Sequence, residues 1–152
     1  MKIIVLKFGG TSVGTTERIK NVSKIIAKYK KKYSVIVLSS AMSGVTNNLI
    51  KLSKKISKNF SDSEYDVLVS SGEQVSCALI SGELINKGFN SRSWMSWQIP
   101  INTEGKYKFS RINKINKSQI VSYLNKGGIP IITGFQGINN KNRITTIGRG
   151  GT

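Results

Sequence analysis

Histidine is missing altogether from this chain of 152 residues, cysteine occurs once, and acidic residues number only seven. With no histidine and one thiol, neither the usual zinc sites nor a histidine-based nucleophilic triad can be built. A single cysteine also forbids an internal disulfide, which fits a reducing, cytoplasmic setting. Cys77 lies in an apolar helical stretch and reads as core rather than nucleophile. Long apolar runs are lacking too. Lys7 interrupts the first after four residues, so neither a signal peptide nor a membrane span is expected.

The scarcity of acids leaves 24 Lys and Arg against 7 Asp and Glu, a formal net charge of +17. Such a surplus can mark a nucleic-acid or anionic-membrane surface. Here the lysines are scattered over helix faces and loops, with only Lys30-Lys31-Lys32 as a run. No aromatics interleave with them as a stacking platform for single strands requires. Nucleic acid is therefore not expected as the main partner, although the basic surface should attract anionic ligands such as nucleotides. The length suits one domain with a sizeable core, and no interdomain linker or internal repeat is evident over residues 1–152.

What is present begins with Lys2-Ile3-Ile4-Val5-Leu6-Lys7-Phe8-Gly9-Gly10-Thr11-Ser12-Val13-Gly14. Four β-branched or aliphatic residues predict a short buried strand, glycines follow at once, and a helical pattern begins near Thr16. Strand, glycine turn and helix N-terminus can hold phosphate through backbone N–H groups and the helix dipole, with the Lys7 ammonium in reach. The plain alternative is a tight turn beside a solvated lysine. Gly9 and Gly14 have P-loop spacing, but Thr15-Thr16 stands where lysine and Ser/Thr are required, and no G-x-G-x-x-G occurs here.

Further along, Ile19, Val22, Ile26 and Tyr29 predict the inward stripe of a first helix. Ser34-Val35-Ile36-Val37-Leu38-Ser39-Ser40 reads as a second buried strand ending in the small-residue turn Ala41-Met42-Ser43-Gly44. A helix from about Thr46 should turn Leu49, Ile50, Leu52 and Ile56 inward. These two strand–turn–helix units argue for parallel strands with right-handed crossovers. Two helical segments are expected over residues 64–87, broken at Ser70-Ser71-Gly72-Glu73 and capped by Gly88. Residues 90–99 read as extended and 100–116 as an irregular or hairpin excursion. Ser118 reads as the cap of a short helix, and Ile129-Pro130-Ile131-Ile132-Thr133 as a third buried strand. Residues 134–152 read as glycine-rich loop. Four features sit at turns or breaks, where sites are built: Lys7-Phe8-Gly9-Gly10, residues 40–46, Gly72-Glu73, and Thr146-Ile147-Gly148-Arg149-Gly150-Gly151. Each has a plain reading: Thr46 as an N-cap, Glu73 as a helix-start charge, Arg149 as a loop cation. Gly82-Glu83 repeats the Gly-Glu pair with no functional hint.

Lys7-Phe8-Gly9-Gly10-Thr11-Ser12-Val13 closely resembles the N-terminal signature of aspartate kinases, within the amino-acid kinase superfamily, and later segments extend the resemblance over essentially the whole chain. The resemblance implies a three-layer α/β/α sandwich around a mainly parallel sheet, and phosphorylation of L-aspartate by ATP, with Mg²⁺ carried on the nucleotide. It assigns Lys7, Phe8, Gly9, Gly10 and Ser40 to the ATP phosphates, Lys7 and Arg149 to catalysis, and Thr46, Glu73, Arg149 and Gly150 to aspartate. It assigns no protein-held metal. Ser96-Trp97-Gln98 departs from the family, which more often has glycine before the glutamine. The family continues past the Arg-Gly-Gly loop with a Ser/Thr-Asp pair and the nucleotide-base half, so the chain is expected to be a truncated product or one half of a split enzyme. A homo-oligomer or a complementary chain is the expected protein partner. A related kinase acting on glutamate or acetylglutamate, and a non-catalytic anion-binding remnant, stay open as alternatives.

Overall fold

The computed structural model describes residues 2–148, so Arg149 and Gly150 lie outside the described residues. Its centre is a parallel four-stranded sheet in the order β1-β2-β6-β3, formed by β1 (Ile3–Phe8), β2 (Ser34–Ser39), β3 (Ser91–Trp94) and β6 (Ile129–Thr133). Between them run α1 (Thr16–Lys30), α2 (Val45–Ile56), α3 (Asp62–Asn86) and α4 (Ser118–Asn125). A second, mixed sheet in the order β5-β4-β7-β8 comprises β4 (Ile101–Glu104), β5 (Arg111–Ile115), β7 (Gln136–Ile138) and β8 (Ile144–Thr146).

The period-two alternation of β2 sorts the core into two layers. Val35 and Val37 face the side carrying α1 and α3, where they meet Ile19, Val22, Ile26, Cys77, Ile80 and Leu84. Ile36 and Leu38 face the other side, where α4 contributes Ile120 and Leu124 beside Trp94 and Ile132. Helices on both faces of a mainly parallel sheet give the three-layer α/β/α sandwich expected.

Several expectations need correction. The stretch 62–86 is one continuous helix rather than two segments, because Gly72 and its neighbouring serines remain helical and pack inward. The serine hydroxyls bond back to carbonyls three residues earlier: Ser70 to Val67 at 2.8 Å and Ser71 to Leu68 at 2.7 Å. β1 is an edge strand and not fully buried. Ile4, Leu6 and Phe8 pack on the core, whereas Ile3 and Val5 are more than half exposed. On α2, Leu52 and Ile56 point outward, and Tyr29 at the end of α1 is partly exposed. Ser118 is the first residue of α4 and not its cap; its hydroxyl donates to Asn116 Oδ1 at 2.7 Å. Extended structure after Asn90 ends at Trp94, and residues 134–148 hold the β7–β8 hairpin instead of plain loop.

Pro130 is accommodated inside a central strand by register. The Ile129 N–H donates to Asn90 on the β3 side, so by alternation the missing donor of Pro130 faces β2, whose ladder with β6 starts only at Ile131. Gly88, at φ +82°, ends α3 as expected.

Candidate active site

The carboxyl ends of β1 and β2 lie side by side, with Lys7 paired to Leu38 and Phe8 to Ser39. Ligands bind at such an edge of a parallel sheet. Two turns leave it. The first, Gly9-Gly10, closes through Ser12 N–H donating to the Gly9 carbonyl at 2.9 Å. The second, residues 40–44, is tied to the first by Ser40 N–H donating to Phe8 at 3.0 Å and Ser43 N–H to Gly10 at 3.2 Å. Gly44, at φ +83°, then turns the chain into α2, whose first turn carries neither a side-chain cap nor an acid.

Between these turns and α3 opens a cleft of about 280 Å³, lined by Gly10, Ser40, Ala41, Met42, Ser43, Gly44, Thr46, Asn47, Glu73 and Phe135. Four expected residues (Gly10, Ser40, Thr46 and Glu73) therefore share one concavity. Lys7, Phe8 and Gly9 are not among its lining residues: Lys7 is exposed on β1, and Phe8 lines a neighbouring groove with Thr11, Ser12 and Arg18. Thr46 is the second residue of α2, and Gly44 is its N-cap, which removes the capping interpretation of Thr46.

Glu73 is the most informative group. It is 3% exposed, and its Oε1 accepts from the Ala41 N–H at 3.1 Å. Its Oε2 is buried and has no hydrogen-bond partner among the described residues. Burial pushes its carboxyl up to about 7, against the opposing pull of the Ala41 hydrogen bond. Cys77, one turn further along α3, stays a thiol, pushed up to about 12 by burial and by the nearby Glu73 charge. A buried carboxylate oxygen with no donor is costly to leave so. Filled by a cationic donor, it becomes a strong charge-assisted site.

Behind the cleft, Ser76 fixes the turn: its hydroxyl bonds the Ser40 carbonyl at 2.7 Å and lies 3.1 Å from Ser39 Oγ. Phe135 reaches the cleft from the β6–β7 connection at φ +64°, a conformation uncommon for a residue with a side chain. Gln136, buried, braces that connection by donating to the Ser70 carbonyl at 3.0 Å and accepting from Ser96 at 3.2 Å. Asp66 was not anticipated. Fully buried on α3, it accepts from Lys108 N–H, from Thr146 N–H at 2.9 Å and from the Thr146 hydroxyl at 2.7 Å. Burial raises its carboxyl above the ordinary range, and these donors pull it back. It thereby fastens the segment leading to Gly148. Asn47 likewise gave no individual signal, since nothing local in the sequence says that the β6–β7 connection and the α2 N-terminus line one cleft.

Comparison with known proteins agrees with this geometry. The profile described as the amino acid kinase family matches residues 2–152. An aspartokinase from Rickettsia bellii is 43% identical over the whole chain, and one from Geobacillus stearothermophilus 45%. The chain spans about 38% of the length of each. Among solved structures, aspartate kinase from Synechocystis superposes with a TM-score of 0.80 at 39% identity, covering 99% of this chain and 25% of that one. Escherichia coli aspartokinase III in complex with aspartate and ADP superposes with a TM-score of 0.85 at 23% identity, covering 99% and 44%, and speaks for the fold. With the parallel sheet, the paired turns at its carboxyl edge and a profile match running from residue 2 to residue 152, the chain belongs to the amino acid kinase family.

Proposed function

We propose that this chain forms the phosphate-facing and amino-acid-binding part of an aspartate kinase, which transfers the γ-phosphoryl group of ATP to L-aspartate to give 4-phospho-L-aspartate and ADP. This reaction opens the aspartate-family route to lysine, threonine, methionine and diaminopimelate, in the cytoplasm. The observation that carries the reading is Glu73, which lines the cleft and whose Oε2 has no partner among the described residues. An α-ammonium is the donor that fits it. An N-acetylated acid offers no charge there, and this disfavours acetylglutamate as the acceptor. The relatives' own names, and the aspartate and ADP bound to the Escherichia coli enzyme, support the same substrates.

In this reading Glu73 takes the ammonium, Thr46 and the α2 N-terminus take a carboxylate, and Arg149 with Gly150 takes another through a bidentate fork. The β-carboxylate, with an ordinary pKa of about 3.9, is already ionised at neutral pH, so no general base is required. Its oxygen attacks the γ-phosphorus as the bond to the β–γ bridging oxygen breaks, and ADP leaves. The obstacle is repulsion between anions. Lys7 and the backbone N–H groups of the Gly9-Gly10 turn, with Phe8 and Ser40 beside them, offset that charge as it spreads over the phosphoryl oxygens. Among the described residues no cluster of three or more Asp, Glu, His or Cys could cage a metal ion. Mg²⁺ would arrive on the nucleotide phosphates.

Calorimetric titration of the chain with L-aspartate and with succinate, which lacks the ammonium, tests the reading. L-Aspartate should bind at least about tenfold tighter, the difference of roughly 1.4 kcal/mol or more expected of a charge-assisted partner. Glu73→Gln should level the two. Equal affinities in the wild-type chain would overturn the assignment of Glu73 to the ammonium.

A further inference from the structure

α3 carries the same dipeptide twice, Gly72-Glu73 and Gly82-Glu83, in two opposite settings. Gly82 is exposed, and a Cβ built there would meet nothing within 4 Å. Gly72 is buried, and a Cβ built there would lie 2.8 Å from the Ala41 Cβ and 3.2 Å from Val45 Cγ1. The first distance is closer than real carbon atoms approach; Ala41 belongs to the turn that opens α2, and Val45 is the first residue of that helix. The turn is equally tight against Gly10: a Cβ there would sit 2.8 Å from the Ala41 carbonyl oxygen. Ala41 is thus held between two glycines on separate elements, one in the turn after β1 and one inside α3. Its N–H is the donor that Glu73 receives.

We propose that Gly72 is a positioning residue for Glu73, and that the Ala41 peptide is a shared strut through which Gly10 and Gly72 set the phosphate-side turn and the amine-facing carboxylate at one fixed separation. The absence of a side chain at Gly72 lets α3 approach until the Ala41 N–H reaches Oε1, and Oε2 is left as the oxygen without a donor among the described residues. Any side chain there holds α3 off the turn, and the carboxylate then loses its donor. The functional part of this inference rests on the assignment of Glu73 above; the strut itself does not.

Amide NMR of the chain without ligand reads the strut directly. In the wild type the Ala41 amide resonance should shift with pH through the Glu73 ionisation, because its proton lies on that carboxylate. Gly72→Ala should lose most of that shift. Gly82→Ala, which adds the same methyl to the same helix, should keep it. Because the clash is Cβ against Cβ, the exchanged pair Ala41→Gly with Gly72→Ala should restore it. A Gly72→Ala chain that keeps the wild-type Ala41 titration overturns the proposal. If Gly72→Ala fails to fold, the exchanged pair decides alone: a folded spectrum with a titrating residue-41 amide supports the strut, and failure to recover it overturns the strut. Since no ligand is present, a negative aspartate titration would count against the substrate assignment without touching this result.

Discussion

A carboxyl group that ionises near neutrality inside a folded chain couples stability to pH, and Glu73 does so with a definite sign. Its ordinary value is 4.5 and its folded value about 7. Below pH 4.5 both folded and unfolded chains hold the proton. Between 4.5 and 7 the unfolded chain releases it first, so stability falls across that window and levels off above it. Glu73→Gln removes the dependence. Chemical denaturation should find the variant more stable than wild type by on the order of 3 kcal/mol at pH 8, with the gap closing at pH 4. Binding runs the other way. An ammonium needs the carboxylate, so aspartate affinity should weaken about tenfold per pH unit below 7 and lose that slope in Glu73→Gln. In a complete enzyme context, Glu73→Ala should lower kcat/KM for aspartate by roughly one to two decades while ATP use changes little. Lys7 makes a separate prediction. It is exposed on an edge strand, so Lys7→Met should leave the denaturation midpoint nearly unchanged, yet cost about 10²–10³ in turnover by removing phosphoryl charge stabilisation. Retention of a third of the rate would move that role to another cation.

Among the elements, α3 joins the most parts, and its polar residues show what the sequence did and did not reveal. The β1–turn–α1 and β2–turn–α2 units were readable because apolar runs, glycines and amphipathic stripes lie within a few residues of each other. The paired turns at the sheet's carboxyl edge followed from that pattern, and the family resemblance singled out Gly10 and Ser40 on them, Thr46 in α2 and Glu73 in α3, which line one cleft. The α3 break did not survive, since glycine inside a sequence run cannot be told locally from glycine at a close contact; only the approach of Ala41 distinguishes Gly72 from Gly82. Asp66 was invisible for the same reason. Its partners at Lys108 and Thr146 lie far away in sequence, and a lone aspartate near a helix start reads as a solvated charge. Asp66→Asn should exchange an acceptor for a donor that faces donors already present, lowering stability by roughly 2–3 kcal/mol. A urea midpoint unchanged from wild type would show that the β8 end is held by the Ser110–Thr146 backbone hydrogen bond instead.

For the molecule as a whole, two properties bear on what the isolated chain can do. It spans about 38% of the length of the curated relatives it matches. If, as proposed above, this chain meets ATP only at its phosphates, it forfeits much of the positioning that contributes about 7–11 kcal/mol in favourable cases. Incubated with ATP, Mg²⁺ and L-aspartate, the chain alone should therefore yield no acyl phosphate trappable by hydroxylamine at kinase-like rates of about 1 s⁻¹ or more. The surplus of 24 basic over 7 acidic residues should give weak duplex-DNA binding that collapses as salt rises, without sequence preference. Affinity persisting through a salt series would revive the nucleic-acid reading.

The separation of Asp66 from Thr146 by 80 positions also orders events in time. As a chain emerges from its N-terminus, β1, α1, β2 and α2 can pair and pack early, and Glu73 finds the Ala41 amide as soon as α3 forms. Asp66 must wait. Until the tip of the β4–β5 hairpin and then β8 arrive, its carboxylate has only water for company, and the face of α3 that carries it cannot close. Closure of that face is then a late step dominated by distant pairings, the slow kind in folding. A nascent or freshly diluted chain should pass through a stage in which the first two strands are protected from hydrogen exchange while residues 144–146 still exchange freely.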